Sequence, residues 1–130
     1  MAERMLLIGA AGKTGASYAR LLQAHGNHVL WYDKNPAAAP EQLNSTKLTF
    51  VPSDRLDIAR LRGQFDRITL TPGVPLAHSF IAAARAENIP VISEVAYCAP
   101  YLRDFKIIGI TGTDGKSTTT TLVAQILRSL

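Results

Sequence analysis

Apolar residues come in short runs that alternate with segments of helical periodicity, and that alternation sets out the chain. Met5–Ile8 is a four-residue apolar run that stops at a glycine, the pattern of a strand buried on both faces. From Gly15 to His25, Tyr18, Leu21 and Leu22 recur at helical spacing and Gly26 supplies a stop. A second strand is predicted over His28–Tyr32, ending at Asp33, followed by the polar, proline-bounded connection KNPAAAPEQLNST. Lys47–Val51 reads as a strand and Asp54–Arg62 as a helix that Ser53 caps. Asp66–Leu70 is a strand ending in Thr-Pro-Gly. Leu76–Glu87 is a helix with Phe80, Ile81 and Ala84 on one face. Pro90–Ile92 is a short strand, Val95–Leu102 a short helix, Lys106–Ile110 a further strand and Lys116–Leu130 a closing helix.

Strands that alternate with helices imply parallel strands joined by helical crossovers, so the expected fold is α/β, a Rossmann-like doubly wound parallel sheet. Residues 1–103 supply five strands, enough for one complete domain of this kind. The strand, glycine loop and helix from 104 to 130 then form the beginning of a second, incomplete domain.

Composition narrows the class. The 130 residues are 47% hydrophobic and 18% charged, a globular balance. The net charge of +4 comes from scattered basic residues with no stripe among them, and only four Tyr, four Phe and one Trp are present for stacking, so nucleic acid is not an expected partner. No run approaches the ~20 apolar residues of a membrane span, and the four-residue apolar run near the N-terminus does not fit a secretory leader. A lone cysteine, Cys98, cannot form an intrachain disulfide and suits a reducing compartment, so a cytoplasmic location is expected.

Two glycine turns carry the candidate chemistry. The first, GAAGKTG, places Gly9, Gly12 and Gly15 between a strand and a helix, where helix N-terminal N–H groups can meet an anion. Asp33 ends the next strand, where a dinucleotide-binding fold keeps a carboxylate for a ribose hydroxyl. By itself this turn points to NAD(P), or to glycines that the turn and close helix packing need anyway. Lys13 and Thr14 are further phosphate candidates, but no glycine stands five residues before Gly12, so the strict phosphate-loop pattern fails.

The second turn is GITGTDGKSTTTT, residues 109–121. Backbone N–H groups of such a loop wrap β- and γ-phosphates, Lys116 balances their charge, and the Ser117 hydroxyl is suited to Mg²⁺. The strict G-x-x-x-x-G-K-[ST] pattern again fails, because Ile110 stands where its first glycine belongs and Gly112 takes over that part. Nucleotide-phosphate binding is the expected purpose of the loop.

TGTDGKSTTT resembles the ATP loop of the Mur ligase family, ATP-dependent amide-forming enzymes of peptidoglycan precursor synthesis. The G-x-x-G-K-T-G turn, Asp33, TPGVPLAH at 71–78 and IPVISEVAY at 89–97 resemble its D-glutamate-adding branch, in the same order along essentially the whole chain. The resemblance implies an N-terminal domain for the UDP end of UDP-N-acetylmuramoyl-L-alanine. Gly12, Lys13, Thr14 and Gly15 would approach the diphosphate, Asp33 and Lys34 the uracil end, and Thr71, Pro72 and Gly73 would line the same cleft. It further implies an ATP loop of Gly112, Thr113, Asp114, Gly115, Lys116, Ser117 and Thr118, with Lys116 as the catalytic residue on the transferring phosphoryl group and Ser117 and Thr118 helping to hold Mg²⁺. ATP would activate the substrate carboxylate as an acyl phosphate, which the amine of D-glutamate attacks.

One departure stands out. This branch of the family commonly carries G-x-G-x-[ST]-G, and the present turn has an additional residue between its first two glycines, which leaves open which N–H groups meet the diphosphate. In the family the remaining metal ligands, the adenine pocket and the D-glutamate site follow the loop helix, so this chain alone is expected to be catalytically incompetent. The stripe Leu122, Ile126, Leu130 with Val123 and Leu127 is expected to fray, fold back or pair with another copy, and self-association is favoured. The competing readings are an NAD(P)-binding domain of an oxidoreductase, a non-catalytic nucleotide-binding module, and another branch of the ligase family or the related folate polyglutamate ligases. The 106–121 block argues against the first, and TPGVPLAH against the last.

Overall fold

In the computed structural model, which describes residues 2–36 and 48–129, the chain divides into two compact units, Met1–Pro100 and Tyr101–Leu130. The side chain of Lys13 and most of the proline-bounded connection lie outside the described residues.

The first unit is a five-stranded parallel sheet in the order β3-β2-β1-β4-β5. Its strands are β1 (Arg4–Ile8), β2 (His28–Tyr32), β3 (Leu48–Phe50), β4 (Arg67–Leu70) and β5 (Val91–Ser93). Strand β1 is central, paired from Met5 to Ile8 with Val29–Tyr32 on one side and Arg67–Leu70 on the other. This position explains its unbroken apolar run. Side chains alternate between faces along a strand, so Met5 and Leu7 enter one core layer while Leu6 and Ile8 enter the other.

Helix α1 (Lys13–Ala24) covers the first face through Ala16, Tyr18, Ala19 and Leu22. Helices α2 (Ile58–Leu61) and α3 (Ser79–Ala86) cover the second through Ile58, Leu61, Phe80, Ile81 and Ala84. The Tyr18 hydroxyl shares a 2.6 Å hydrogen bond with Thr69 Oγ1 across the first layer, and burial pushes its phenol well above the ordinary tyrosine range. Tyr97, on α4 (Glu94–Cys98), meets the Tyr18 ring edge-on and accepts from Asn27 Nδ2 at 2.9 Å, which docks the short helix on this layer.

Three expectations are corrected. The helix predicted over Asp54–Arg62 is a 3-10 turn, Ser53–Arg55, followed by α2, and its cap is Asp57 rather than Ser53. Asp57 Oδ1 accepts from Ala59 N at 2.7 Å and Arg60 N at 3.2 Å, and this local bond restarts the helix. The helix predicted over Val95–Leu102 is α4 followed by a 3-10 turn, Ala99–Leu102, where Pro100 has no N–H to continue the ladder. The strand predicted over Lys106–Ile110 is absent: no described strand pairs with it, and Ile107 and Ile108 are 69% and 60% exposed. An apolar, β-branched run has the composition of a strand, but it becomes one only against a hydrogen-bonding neighbour.

In the second unit, α5 (Lys116–Arg128) forms as a complete helix despite its threonine run. Thr120 Oγ1 donates to Lys116 O at 2.8 Å and Thr121 Oγ1 to Ser117 O at 3.0 Å, so these hydroxyls are satisfied within the helix. Leu122, Ile126 and Leu127 are more than half exposed.

Candidate functional site

The strand order reverses direction at β1. From β1 the chain moves outward to β2 and β3, then crosses to β4 on the opposite side, which leaves a crevice beyond the carboxyl ends of β1 and β4. A cleft of about 360 Å³ lies there. Of the residues expected at the substrate, Gly12, Thr14, Gly15, Asp33, Lys34, Thr71, Pro72 and Gly73 all line it. Lys13 opens α1, between Gly12 and Thr14, but its side chain lies outside the described residues.

Backbone donors in the first turn fall into two sets. Gly9 N donates to Tyr32 O at 2.9 Å, Ala10 N to the same carbonyl at 3.3 Å, and Ala11 N to Asp33 Oδ2 at 2.9 Å. Three successive N–H groups are therefore spent on holding the turn against the end of β2. The next four, Gly12 to Gly15, open α1, whose N-cap Gly12 offers no side-chain cap and whose first turn has no acidic residue. They are the donors that an anion can take. Ala10 is fully buried, and the run of donors without a described partner starts at Gly12.

The three glycines have different reasons to be glycine. At Gly9, with φ at +88°, a Cβ would lie 2.2 Å from Thr71 Oγ1 and 2.7 Å from Val74 Cγ2. At Gly15 a Cβ would lie 2.4 Å from the carbonyl oxygen of Gly9 and 2.6 Å from that of Ala10, a backbone collision that no rotamer relieves. At Gly12 nothing stands within 4 Å. The fold demands the outer two glycines, whereas the middle one keeps the cleft open in front of the helix.

Asp33 is half-buried, and each of its carboxylate oxygens already accepts a backbone N–H: Oδ2 from Ala11, and Oδ1 from Asn35 at 2.9 Å. Its first task is to bind the glycine turn to the end of β2. Thr71, also buried, does the same from the opposite wall, where its Oγ1 donates to Gly9 O at 3.1 Å and its N to Ile8 O at 3.2 Å. Sequence reasoning missed Tyr32, Val74 and His78 as lining residues. The position of Tyr32 just before Asp33, and the last residue of TPGVPLAH, were the available signals.

The second loop is built differently. Gly115, with φ at +74°, is the N-cap of α5, and there is again no side-chain cap and no acid in the first turn. Lys116 reaches back over the loop, where its Nζ donates to the carbonyls of Gly112 and Thr113, the latter at 2.9 Å. The ammonium is thereby held on the carbonyls of the loop that precedes the helix N-terminus. The Ser117 and Thr118 hydroxyls have no partner among the described residues, and as hard oxygen donors they suit Mg²⁺ as part of an octahedral set. No group of three or more His, Cys, Asp or Glu among the described residues could hold a metal ion. Gly112 to Thr118 are all exposed, so this unit offers a loop without walls. No described helix is long and apolar enough to cross a membrane.

Residues 3–93 match the family described as Mur ligase MurD-like, N-terminal domain. The UDP-N-acetylmuramoylalanine--D-glutamate ligase of Caldicellulosiruptor saccharolyticus is 37% identical over 133 residues, which cover 98% of this chain and 29% of that protein. The enzyme of the same name from Anaeromyxobacter dehalogenans is 39% identical over 130 residues, 95% of this chain and 27% of its own length. Among solved structures, a murein peptide ligase from Psychrobacter arcticus superposes with a TM-score of 0.68 at 26% identity, covering 97% of this chain and 26% of that one. The chain therefore spans less than a third of the length of these relatives. The turn that opens α1, the crevice beside it and the matches over nearly the whole chain agree: this protein belongs to the Mur ligases, and residues 3–93 are a MurD-like N-terminal domain.

Proposed function

We propose that residues 1–103 bind UDP-N-acetylmuramoyl-L-alanine in the switch-point cleft, and that 104–130 open the ATP-binding domain of a ligase that adds D-glutamate to it. The observation that carries this reading is the gathering of the Gly12–Gly15 donors, Asp33 with Lys34, and Thr71-Pro72-Gly73 around one cleft. Four unspent N–H groups at the start of a twelve-residue helix suit a diphosphate. Each oxygen of Asp33 keeps a second acceptor site for an N–H donor of a nucleobase such as uracil.

In the reaction, ATP supplies the phosphoryl group that converts the substrate carboxylate to an acyl phosphate, and the D-glutamate amine displaces phosphate to form the amide. Lys116 would stabilise charge on the transferring phosphoryl group, and Ser117 and Thr118 would orient Mg²⁺ on its oxygens. The chain spans less than a third of its relatives, so ligation belongs to the longer enzyme, and this chain alone binds substrate without turning it over. The exposed Leu122, Ile126 and Leu127 give α5 a face through which copies of the chain associate, and the free Cys98 suits a cytoplasmic setting.

Calorimetric titration with UDP-N-acetylmuramoyl-L-alanine, UDP, NADH and Mg-ATP tests the assignment. Binding of the two UDP ligands without NADH is the expected result. NADH binding with no response to UDP would turn the first glycine turn back into a dinucleotide site. Light scattering that gives a strict monomer would remove the self-association.

A further inference from the structure

His78 lines the cleft from the segment between β4 and α3, at the N-cap of α3. Its Nδ1 accepts the backbone N–H of Phe80 at 3.3 Å. A ring nitrogen that accepts a hydrogen bond carries no proton, so in the neutral ring the proton sits on Nε2. The capping bond therefore fixes the tautomer, and Nε2–H is a donor with no partner among the described residues. The ring is half-buried, and its backbone is held on both sides, with His78 N donating to Pro75 O at 3.1 Å and Ile81 N to His78 O at 2.9 Å.

We infer that His78 is a ligand-binding residue, donating from Nε2 to an acceptor oxygen of the bound nucleoside diphosphate, with its orientation and tautomer set by the α3 cap. The inference rests on the nucleotide-sugar reading of the cleft and adds to it a side-chain donor facing the backbone donors of α1. Those four N–H groups approach an anion from one side only. A donor from the β4–α3 wall closes the other side, and it comes already oriented, because rotating the ring would break the cap.

The test compares UDP binding by the wild-type chain, His78→Asn and His78→Ala. Asparagine keeps an acceptor for the Phe80 N–H and is a good N-cap, but its shorter amide does not reach as far as Nε2. The expected result is a loss of about tenfold in UDP affinity in both variants, the size of one hydrogen bond to a charged group, with the Tm of His78→Asn unchanged. His78→Asn binding UDP as tightly as wild type would leave the residue as a cap alone and overturn the inference. In the wild-type chain, nitrogen NMR of the imidazole should show the Nε2–H tautomer and a shift of Nε2 on adding UDP; an unmoved Nε2 would overturn it as well. Failure of wild type to bind UDP at all would instead sink the nucleotide reading on which the inference stands.

Discussion

The two glycine turns look alike in sequence and are unlike in structure. Both follow an apolar run, both open a helix of about three turns, and both helices lack a side-chain cap. Around the first, Tyr32, Asp33 and Thr71 fix the backbone from two neighbouring strands, and a cleft results. Around the second, the preceding apolar run pairs with no strand among the described residues, and Lys116 turns inward onto the carbonyls of its own loop. A glycine turn before a helix is thus two things, a set of donors and the walls that aim them. The motif encodes only the donors.

The sharpest way to break this comparison is to substitute Gly15. A valine there drives its Cβ into the Gly9 and Ala10 carbonyls, which belong to the central turn of the sheet. We expect a loss of about 3 kcal/mol or more in urea unfolding, together with loss of UDP binding. A stability close to wild type would mean that the α1–turn contact is looser than described. Gly12→Val is the control on the same turn. With nothing within 4 Å of its Cβ, it should cost no more than about 1 kcal/mol in urea unfolding, as a poorer N-cap, while reducing UDP affinity by roughly tenfold.

Next in size is Asp33→Ala, which strips the acceptors from Ala11 N and Asn35 N. Losing one partly buried and one exposed hydrogen bond should cost about 1 kcal/mol of stability. UDP affinity should fall further than Asp33→Asn makes it fall, because the amide keeps an oxygen for one of the two donors. Equal effects from the two substitutions would show that charge, not the hold on the turn, is what Asp33 contributes.

The reach of the sequence can be judged from these same residues. Periodicity located the five paired strands, most securely β1, whose side chains enter both core layers, so that local pattern and tertiary demand agree. It placed a strand at Lys106–Ile110 on identical evidence, and there the pattern lacked the partner it presupposes. Spacing picked out Gly12 and Asp33, and the resemblance to the ligase family added Thr71; all three come together because the ends of parallel strands meet at a switch point. Neither said who bonds whom: that Thr71 donates to Gly9, or that His78 caps a helix and lines the cleft. Such bonds depend on ångström-scale placement across 62 residues, as between Gly9 and Thr71, and no local pattern carries that information.

At the opposite end of the sheet from the cleft, Arg4 grips Asp66 through two side-chain nitrogens, at 3.2 and 2.5 Å, and through its own backbone N at 2.9 Å. These donors lower the Asp66 carboxyl to about 2 from an ordinary 3.8. A depressed carboxyl contributes stability above its unfolded value and loses it as pH falls through its folded one. The Tm difference between wild type and Asp66→Asn should therefore be full at pH 5, shrink between about 4 and 2, and vanish below. It should be small throughout, because both side chains are nearly half exposed to solvent. A difference that persisted at pH 1.5 would assign the effect to packing.

The smallest expected effect bears on the comparison most directly. Lys116→Ala removes the cation that covers the second loop and frees the Gly112 and Thr113 carbonyls, but both are exposed and water replaces the ammonium at little cost. Helix α5 has its first backbone bond, Thr119 N to Gly115 O at 2.9 Å, without any help from that side chain. Every described residue lining the cleft lies between Ile8 and His78, so UDP affinity should be unchanged as well. The substitution should be silent in urea unfolding and in UDP titration. A weaker response to UDP would mean that the lysine of the second loop takes part in the first site, and the two turns would have to be treated as one.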